Sequence, residues 1–438
     1  MGIFSPKPLK LSSYQNPIDD VKSGWGPCCR PVCARTGGRR REQIKRVAYV
    51  LLFLSLVGFL DYLSTTWGEI EIQQEFGYPL NIPNFPEVVE EFRFKVGNFA
   101  YTPINFKYSS IDYIHKALSK NEKQAHGLLV LVKSAIKNFE KRESIRQTWG
   151  QLQYLEDAKI DDNLPSKLLF ICGVPRNSDF DSVEELFPQE WDKNDIIVAD
   201  FLDEYGNNTY KSLLALRWAS QEFQSDFQYL LLVDDDMYVD LVNLSTYLRN
   251  FPKRTFEEKT NLPGSQFPIY RMSTKYKNNH TLITGNNILQ KGLYMGQIYW
   301  NATPLRESYF IFQARRREWG VQLGDYMYNF YPPYAPGAAI IFSKEAVHKF
   351  YYASFFVKHF AIDDVYLGII AKKLELLPVH NPHFYAWYPK NKLRIDEDPF
   401  SEAIAIHGCQ CAAQMVDLWV NRNLTNLVEC NKQDLSNI

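Results

Sequence analysis

The stretch YLLLVDDDMYV, residues 229–239, decides how the rest of the chain is read. An unbroken apolar run stops abruptly at Asp234, Asp235 and Asp236. Apolarity without alternation over so few residues predicts a strand covered on both faces, the usual situation in a parallel sheet. Three adjacent carboxylates repel one another. A hard divalent cation, bound through carboxylate oxygens, is the chemistry that resolves the repulsion. On extended backbone Asp234 and Asp236 point one way and Asp235 the other. Such an ion bridges protein to a nucleotide diphosphate and stabilises the diphosphate as a leaving group. The plain alternative is a solvated acidic turn after an edge strand. An EF-hand loop is disfavoured, because its alternating Asp ligands and central Gly are missing.

Outward from this strand, short apolar runs recur at 128–132, 168–174 and 195–201, with helix-like stretches such as 210–223 between them. Strand–helix alternation predicts an α/β fold with a doubly wound sheet. Active sites of such sheets form at the carboxyl ends of the strands. A second section reads as a strand over 338–342, then a helix over 344–352 with Ser343 as N-cap. Residues 251–288 are polar and without period, and are expected to be a surface insertion. There is no internal repeat, Walker loop or G-x-G-x-x-G.

Asp363 and Asp364 open a further helix over 365–374. One Asp suffices for a cap, and the helix N-terminus favours the ionised form that a general base needs. We assign Asp364 as base and Asp363 as cap or acceptor contact; a purely structural double cap is the alternative. His407 ends an apolar stretch and reads either as a third metal ligand or as a satisfied core histidine. Arg142 and Arg146 are spaced i, i+4 and share a helix face. That face is either a clamp for phosphate oxygens or a solvated basic surface.

The N-terminal part has a different character. Residues 1–46 hold ten Lys/Arg and three Asp/Glu, whereas 61–97 hold two and seven. Between them lies VAYVLLFLSLVGFL, residues 47–60. Extended to Trp67 it reaches the roughly 20 residues of a bilayer span. The basic side then faces the cytosol and the remainder the lumen. The expected organisation is a cytosolic tail (1–46), a signal-anchor helix (47–67), a lumenal stem (68–124) and a catalytic domain (125–431). A cleaved signal peptide is the competing reading of the apolar run. Cys172, Cys409, Cys411 and Cys430 follow the anchor, and are expected to form disulfides. Five sequons, beginning at Asn207, Asn243, Asn279, Asn301 and Asn423, also follow it. Lys+Arg at 49 against Asp+Glu at 50 argues against a nucleic-acid binder.

In chain order the sequence shows RESIRQTWG (142–150), YGNNTYK (205–211), LLVDDDMYV (231–239), LYMG (293–296), PLR (304–306), Trp319, YPPYAPGAAIIFS (331–343) and IDDVYLG (362–368). This set resembles the metazoan β-1,3-galactosyl/N-acetylglucosaminyltransferase family, over about residues 125–410, and is most similar to its Brainiac-like branch. The resemblance implies a GT-A-type mixed sheet and an inverting, UDP-sugar-dependent hexosyltransferase. It implies a type II Golgi membrane protein, with Mn2+ and a glycolipid or glycoprotein acceptor. By position it makes Asp236 the principal metal ligand, with Asp234 and His407. Asp234, Asp235, Arg142, Arg146 and Lys211 fall near the donor, Trp149 beneath it, and the base in the Asp363–Asp364 pair. The competing class is a catalytically inactive, membrane-anchored carbohydrate-binding or assembly protein of the same fold.

Overall fold

The computed structural model describes residues 36–66, 68–72, 76–78, 80–94, 126–151, 166–176, 185–223, 227–260, 262–263, 267–273, 282–306, 319–386 and 401–421. Its four N-terminal apolar runs form strands β1 (His126–Lys133), β2 (Ser166–Val174), β3 (Ile196–Leu202) and β4 (Phe227–Asp234). They pair in parallel, in the order β3-β2-β1-β4. Their continuous apolarity has a direct cause. Leu129 and Leu131 of β1 enter one core, while Leu128, Val130 and Val132 enter the other. Leu230 and Leu232 of β4 divide from Tyr229, Leu231 and Val233 in the same way. Both faces of the sheet are covered, so neither set of alternate positions tolerates polarity.

Eleven shorter strands follow: β5 (Met237–Val239), β6 (Thr255–Lys259), β7 (Ile269–Met272), β8 (Leu282–Thr284), β9 (Tyr294–Gly296), β10 (Leu305–Arg306), β11 (Gly320–Val321), β12 (Ala339–Ser343), β13 (Val379–His380), β14 (Phe384–Tyr385) and β15 (Ala405–His407). The main sheet continues past β4 as β12-β9-β13-β7-β6-β8. Strand β12 runs antiparallel to β4 and β9, so the sheet is mixed. Ser343 caps the helix Lys344–Ala353 as expected, accepting from the Ala346 N–H.

Two expectations need correction. Residues 251–288 are not a surface insertion: they supply β6, β7 and β8, the far edge of the main sheet, and bury Phe256, Phe267 and Ile269. Nor is the described part of 68–94 a spacer. Ile70 bridges to Tyr328, and its N–H donates to the Met327 carbonyl. Ile72, Tyr78, Phe85 and Val89 are buried in the main core, and Lys373 Nζ donates to the Leu80 carbonyl at 2.8 Å. Residues 95–125 lie outside the described set.

The chain divides into two compact units, 1–62 and 63–438. In the first lies the 20-residue segment Arg41–Leu60 of the helix Thr36–Thr66, long and apolar enough to cross a membrane. In the second, Cys172 and Cys409 are buried free thiols, contrary to the expectation that all four distal cysteines pair. Cys411 is disulfide-bonded to a partner outside the described residues. Asn207 and Asn243 spend their side-chain amides on main-chain carbonyls, of Leu202 and of Ser401 and Ala403, whereas Asn301 is exposed.

Candidate active site

The carboxyl edge of the sheet gathers the acidic groups. Lys133 ends β1 and is the register partner of Asp234, which ends β4. Gly337 lies just before β12, the antiparallel neighbour of β4, and so reaches the same edge. Lys133 Nζ lies 3.0 Å from Asp234 Oδ1 and 2.8 Å from Asp363 Oδ2. Ser212 Oγ donates to the same Asp363 oxygen at 2.9 Å. A Cβ on residue 337 would come within 3.2 Å of both Lys133 Nζ and the Asp363 carboxylate, so any larger residue there would press on this ion pair and its partners would have to give by a few tenths of an ångström.

This geometry separates the two helix-opening aspartates. Neither is the N-cap, a position held by Ile362. Burial opposes ionisation of Asp363, but Lys133 and Ser212 overcome it and hold its carboxyl below the usual range. Asp364 accepts main-chain N–H groups, from Val365 at 2.7 Å and from Gly337, and no basic side chain among the described residues pairs with it. Burial, reinforced by the neighbouring Asp363 charge, pushes it up to about 7. One carboxylate is thus locked as an anion and the other is poised to exchange a proton near neutrality. The Tyr331–Tyr334 loop lies over this helix, packed so closely on Gly368 that an added Cβ would meet Tyr334 Cβ at 2.5 Å.

The aspartate triplet is dispersed by a turn rather than by strand alternation: β4 ends at Asp234, residues 235 and 236 turn, and β5 begins at Met237. Asp235 turns inward, accepting from Ser134 Oγ at 2.7 Å and Asn138 Nδ2 at 2.8 Å. Asp234 faces Lys133. Burial first, and the Asp236 and Asp363 charges after it, outweigh that lysine and push Asp234 up to about 7. Asp236 meets His407, with Oδ2 3.3 Å from Nε2. The cause is register: His407 on β15 pairs with Met237 on β5, one residue past Asp236. The Asp236 carbonyl also accepts the Gly408 and Cys409 N–H groups. Burial opposes ionisation of Asp236, and His407 reverses the balance and holds it low.

A divalent metal fits at this point. Asp236 Oδ1 is inaccessible yet accepts no hydrogen bond, and it lies beside an imidazole, giving a hard oxygen and a borderline nitrogen together. Among the described residues no three His, Cys, Asp or Glu side chains form a cluster that could hold a metal ion by themselves.

The arginines have a different place from the one expected. The Arg142 N–H groups go to Glu190, Ser134 Oγ and the carbonyls of Ala135 and Ile136, leaving none of its five for a phosphate. Arg146 is spent on Asp195, Glu190 and Glu143. Lys211 pairs with Asp203 at 2.6 Å, and Asp203 accepts the Ile136 N–H. Arg142 directly, and Lys211 through Asp203, brace the loop after β1, which carries Ser134 and Asn138 to Asp235, while Arg146 holds the Glu190 that Arg142 binds; each is engaged by carboxylates of this chain. Trp149 is buried among the core residues on that face of the sheet. Lys133 was not singled out from sequence. Its only signal was a lysine closing an apolar strand one residue after Val132.

The mixed α/β sheet carries at its carboxyl edge an acidic site in which one buried carboxyl is held ionised and its neighbour is pushed toward neutrality. Comparison with known proteins narrows this. A model of the Galactosyltransferase family matches residues 140–382. Over 371 residues the chain is 28% identical to the β-1,3-galactosyltransferase brn of Drosophila melanogaster, covering 84% of this chain and 94% of that one. It is 27% identical over 296 residues to the lactosylceramide 1,3-N-acetyl-β-D-glucosaminyltransferase B of Danio rerio, covering 67% and 66%. It is also 27% identical over 339 residues to β-1,3-galactosyltransferase 1 of Mus musculus, covering 77% and 86%. The chain belongs to the galactosyltransferase family.

Proposed function

We propose that this protein is an inverting β-1,3-glycosyltransferase that moves Gal, GalNAc or GlcNAc from a UDP-sugar to the 3-hydroxyl of an acceptor sugar. The observation that carries the reading is the unequal aspartate pair, Asp363 locked by Lys133 and Asp364 pushed up to about 7. The acceptor hydroxyl gives its proton to Asp364. Its oxygen bonds to the anomeric carbon as the bond from that carbon to the UDP oxygen breaks on the opposite face. A single displacement turns an α-linked donor into a β-linked product. Lys133 keeps Asp363 ionised, and that charge in turn raises the basicity of Asp364. Asp236 and His407, with Asp234 at the same edge, are the residues that would hold Mn2+. When bound, the ion neutralises charge on the departing diphosphate. Arg142, Arg146 and Lys211 act at one remove, by fixing the loop that carries Ser134 and Asn138.

One relative is named for lactosylceramide, which favours a sugar acceptor on a glycolipid over one on a glycoprotein. The apolar helix with its basic flank supports a single-pass type II anchor, with residues after it in the Golgi lumen. The test is transfer from UDP-Gal, UDP-GalNAc and UDP-GlcNAc to β-mannosyl, β-galactosyl and β-GlcNAc acceptors, with Mn2+. A β-1,3 product from one donor is expected. Absence of both transfer and Mn2+-dependent UDP binding by folded protein overturns the proposal.

Two further outcomes are expected. Asp236→Ala should remove Mn2+-dependent UDP binding, read by calorimetry, along with transfer, while the melting temperature is kept; retained binding sinks the metal assignment. The acceptor kcat/KM should fall about tenfold per pH unit below about 7, because Asp364 must be ionised to take the proton. A profile that is flat across that range rules Asp364 out as the base.

A further inference from the structure

The geometry points to Tyr205 and Trp319 as an aromatic platform that receives the acceptor sugar, an inference that rests on the transferase reading above. Tyr205 begins the turn Tyr205–Asn207, directly after β3, at the same carboxyl edge of the sheet as the acids. Trp319 precedes β11, 114 residues away in sequence. The indole Nε1 donates to the Tyr205 hydroxyl at 2.6 Å. Both side chains are nevertheless open to solvent, with 56% of Tyr205 and 42% of Trp319 exposed. Among the described residues of this unit they are the aromatic side chains that stand exposed, whereas Trp149, Trp218, Tyr294 and Tyr326 are fully buried. An exposed tryptophan whose polar edge is already satisfied presents rigid apolar area, the form in which aromatic residues serve recognition.

Tyr205 leads directly into the helix Asn208–Arg217, whose Thr209 hydroxyl donates to the Phe360 carbonyl and whose Ser212 hydroxyl donates to Asp363. Besides partial burial, the charges of Asp363, Asp364 and Asp234 raise the Tyr205 hydroxyl above its ordinary pKa. The chemistry that fits is a pyranose. Its C–H face lies on an aromatic ring, and its hydroxyls project from the edge toward polar groups. The Tyr205 oxygen accepts from the indole and keeps its own proton to donate to a sugar hydroxyl. The acceptor, rather than the donor, is the matching sugar. The donor is held through its diphosphate at Asp236, whereas Tyr205 leads into the helix that bonds Asp363, the neighbour of the Asp364 that must meet the acceptor hydroxyl.

The test compares Trp319→Ala, Trp319→Phe and Tyr205→Phe with the unaltered full-length protein. Trp319→Ala should raise the acceptor KM about tenfold, with the UDP-sugar KM within about twofold of normal. Trp319→Phe, which keeps a face but loses the N–H, should recover most of the loss. Acceptor binding to the UDP- and Mn2+-loaded protein, followed by saturation-transfer NMR with methyl β-galactoside, methyl β-mannoside and methyl β-N-acetylglucosaminide, needs no turnover. Sugar binding that disappears in Trp319→Ala supports the platform even if the unaltered protein transfers nothing, an outcome that would sink the transferase reading alone. Normal turnover with an unchanged acceptor KM, or a donor KM that rises equally, overturns the platform and leaves that reading standing.

Discussion

Asp364→Asn should lower kcat by between about a hundredfold and about ten-thousandfold while leaving UDP binding and the melting temperature in place. The amide has nearly the same shape and still accepts the N–H groups of Val365 and Gly337 through its oxygen. What it lacks is the ability to take a proton from the acceptor. Asp363→Asn makes a useful contrast, because Asp363 balances a buried lysine. Lys133 is pulled above its ordinary pKa by Asp234 and Asp363 against a large burial penalty. Removing one of those partners leaves a poorly compensated buried charge, at a cost of roughly 3–5 kcal/mol. Asp363→Asn should therefore lower the melting temperature as well as activity. If instead Asp363→Asn alone abolishes turnover at unchanged stability, while Asp364→Asn remains active, the base is Asp363.

Choosing between two adjacent aspartates from sequence rested on which one a cap would consume. The structure separates them by another route: a lysine from a strand 230 residues earlier reaches only Asp363. Contacts of this kind explain most of what the sequence left obscure. The parallel strands were legible because burial on both faces writes itself locally, as an unbroken apolar run. The separate environments of Asp234, Asp235 and Asp236 were not legible from alternation, because the backbone turns at 235 and 236 instead of staying extended. Nor was the pairing of Arg142 and Arg146. Their i, i+4 spacing correctly put them on one face, but the partners on that face, Glu190 and Asp195, come 44 or more residues later. A basic face looks the same in sequence whether it meets phosphate or carboxylate. His407 became interpretable only through the β5–β15 register. The far edge of the sheet was missed because β6, β7 and β8 are short and flanked by polar residues: they pair with one another, and what joins them to the main sheet is the contact of β7 with β13, more than 100 residues later.

A fragment beginning at residue 95 should fail to fold, whereas one beginning at residue 68 should be soluble and active. Local pattern argues the reverse, since 68–94 carries several prolines and no sustained periodicity. Its energetic role lies in non-local contacts. Ile72, Tyr78, Phe85 and Val89 are each at least nine-tenths buried. At roughly 1.5–3 kcal/mol for each large apolar side chain, their burial is worth roughly 6–12 kcal/mol, comparable to the roughly 5–15 kcal/mol that holds a whole domain together. The segment also fixes the wall of the site. Glu69 binds Arg306 Nε at 2.7 Å, and Arg306 donates to the carbonyls of Tyr326 and Tyr328. Those residues lead into the Tyr331–Tyr334 loop that packs on Gly368, one turn beyond Asp364. Glu69→Ala within the 68–438 fragment separates the two contributions: the fold survives, and activity drops because the loop is no longer anchored at that end. Equal yields, melting temperatures and transfer rates for the fragments starting at 68 and at 95 would show that the segment is a spacer after all.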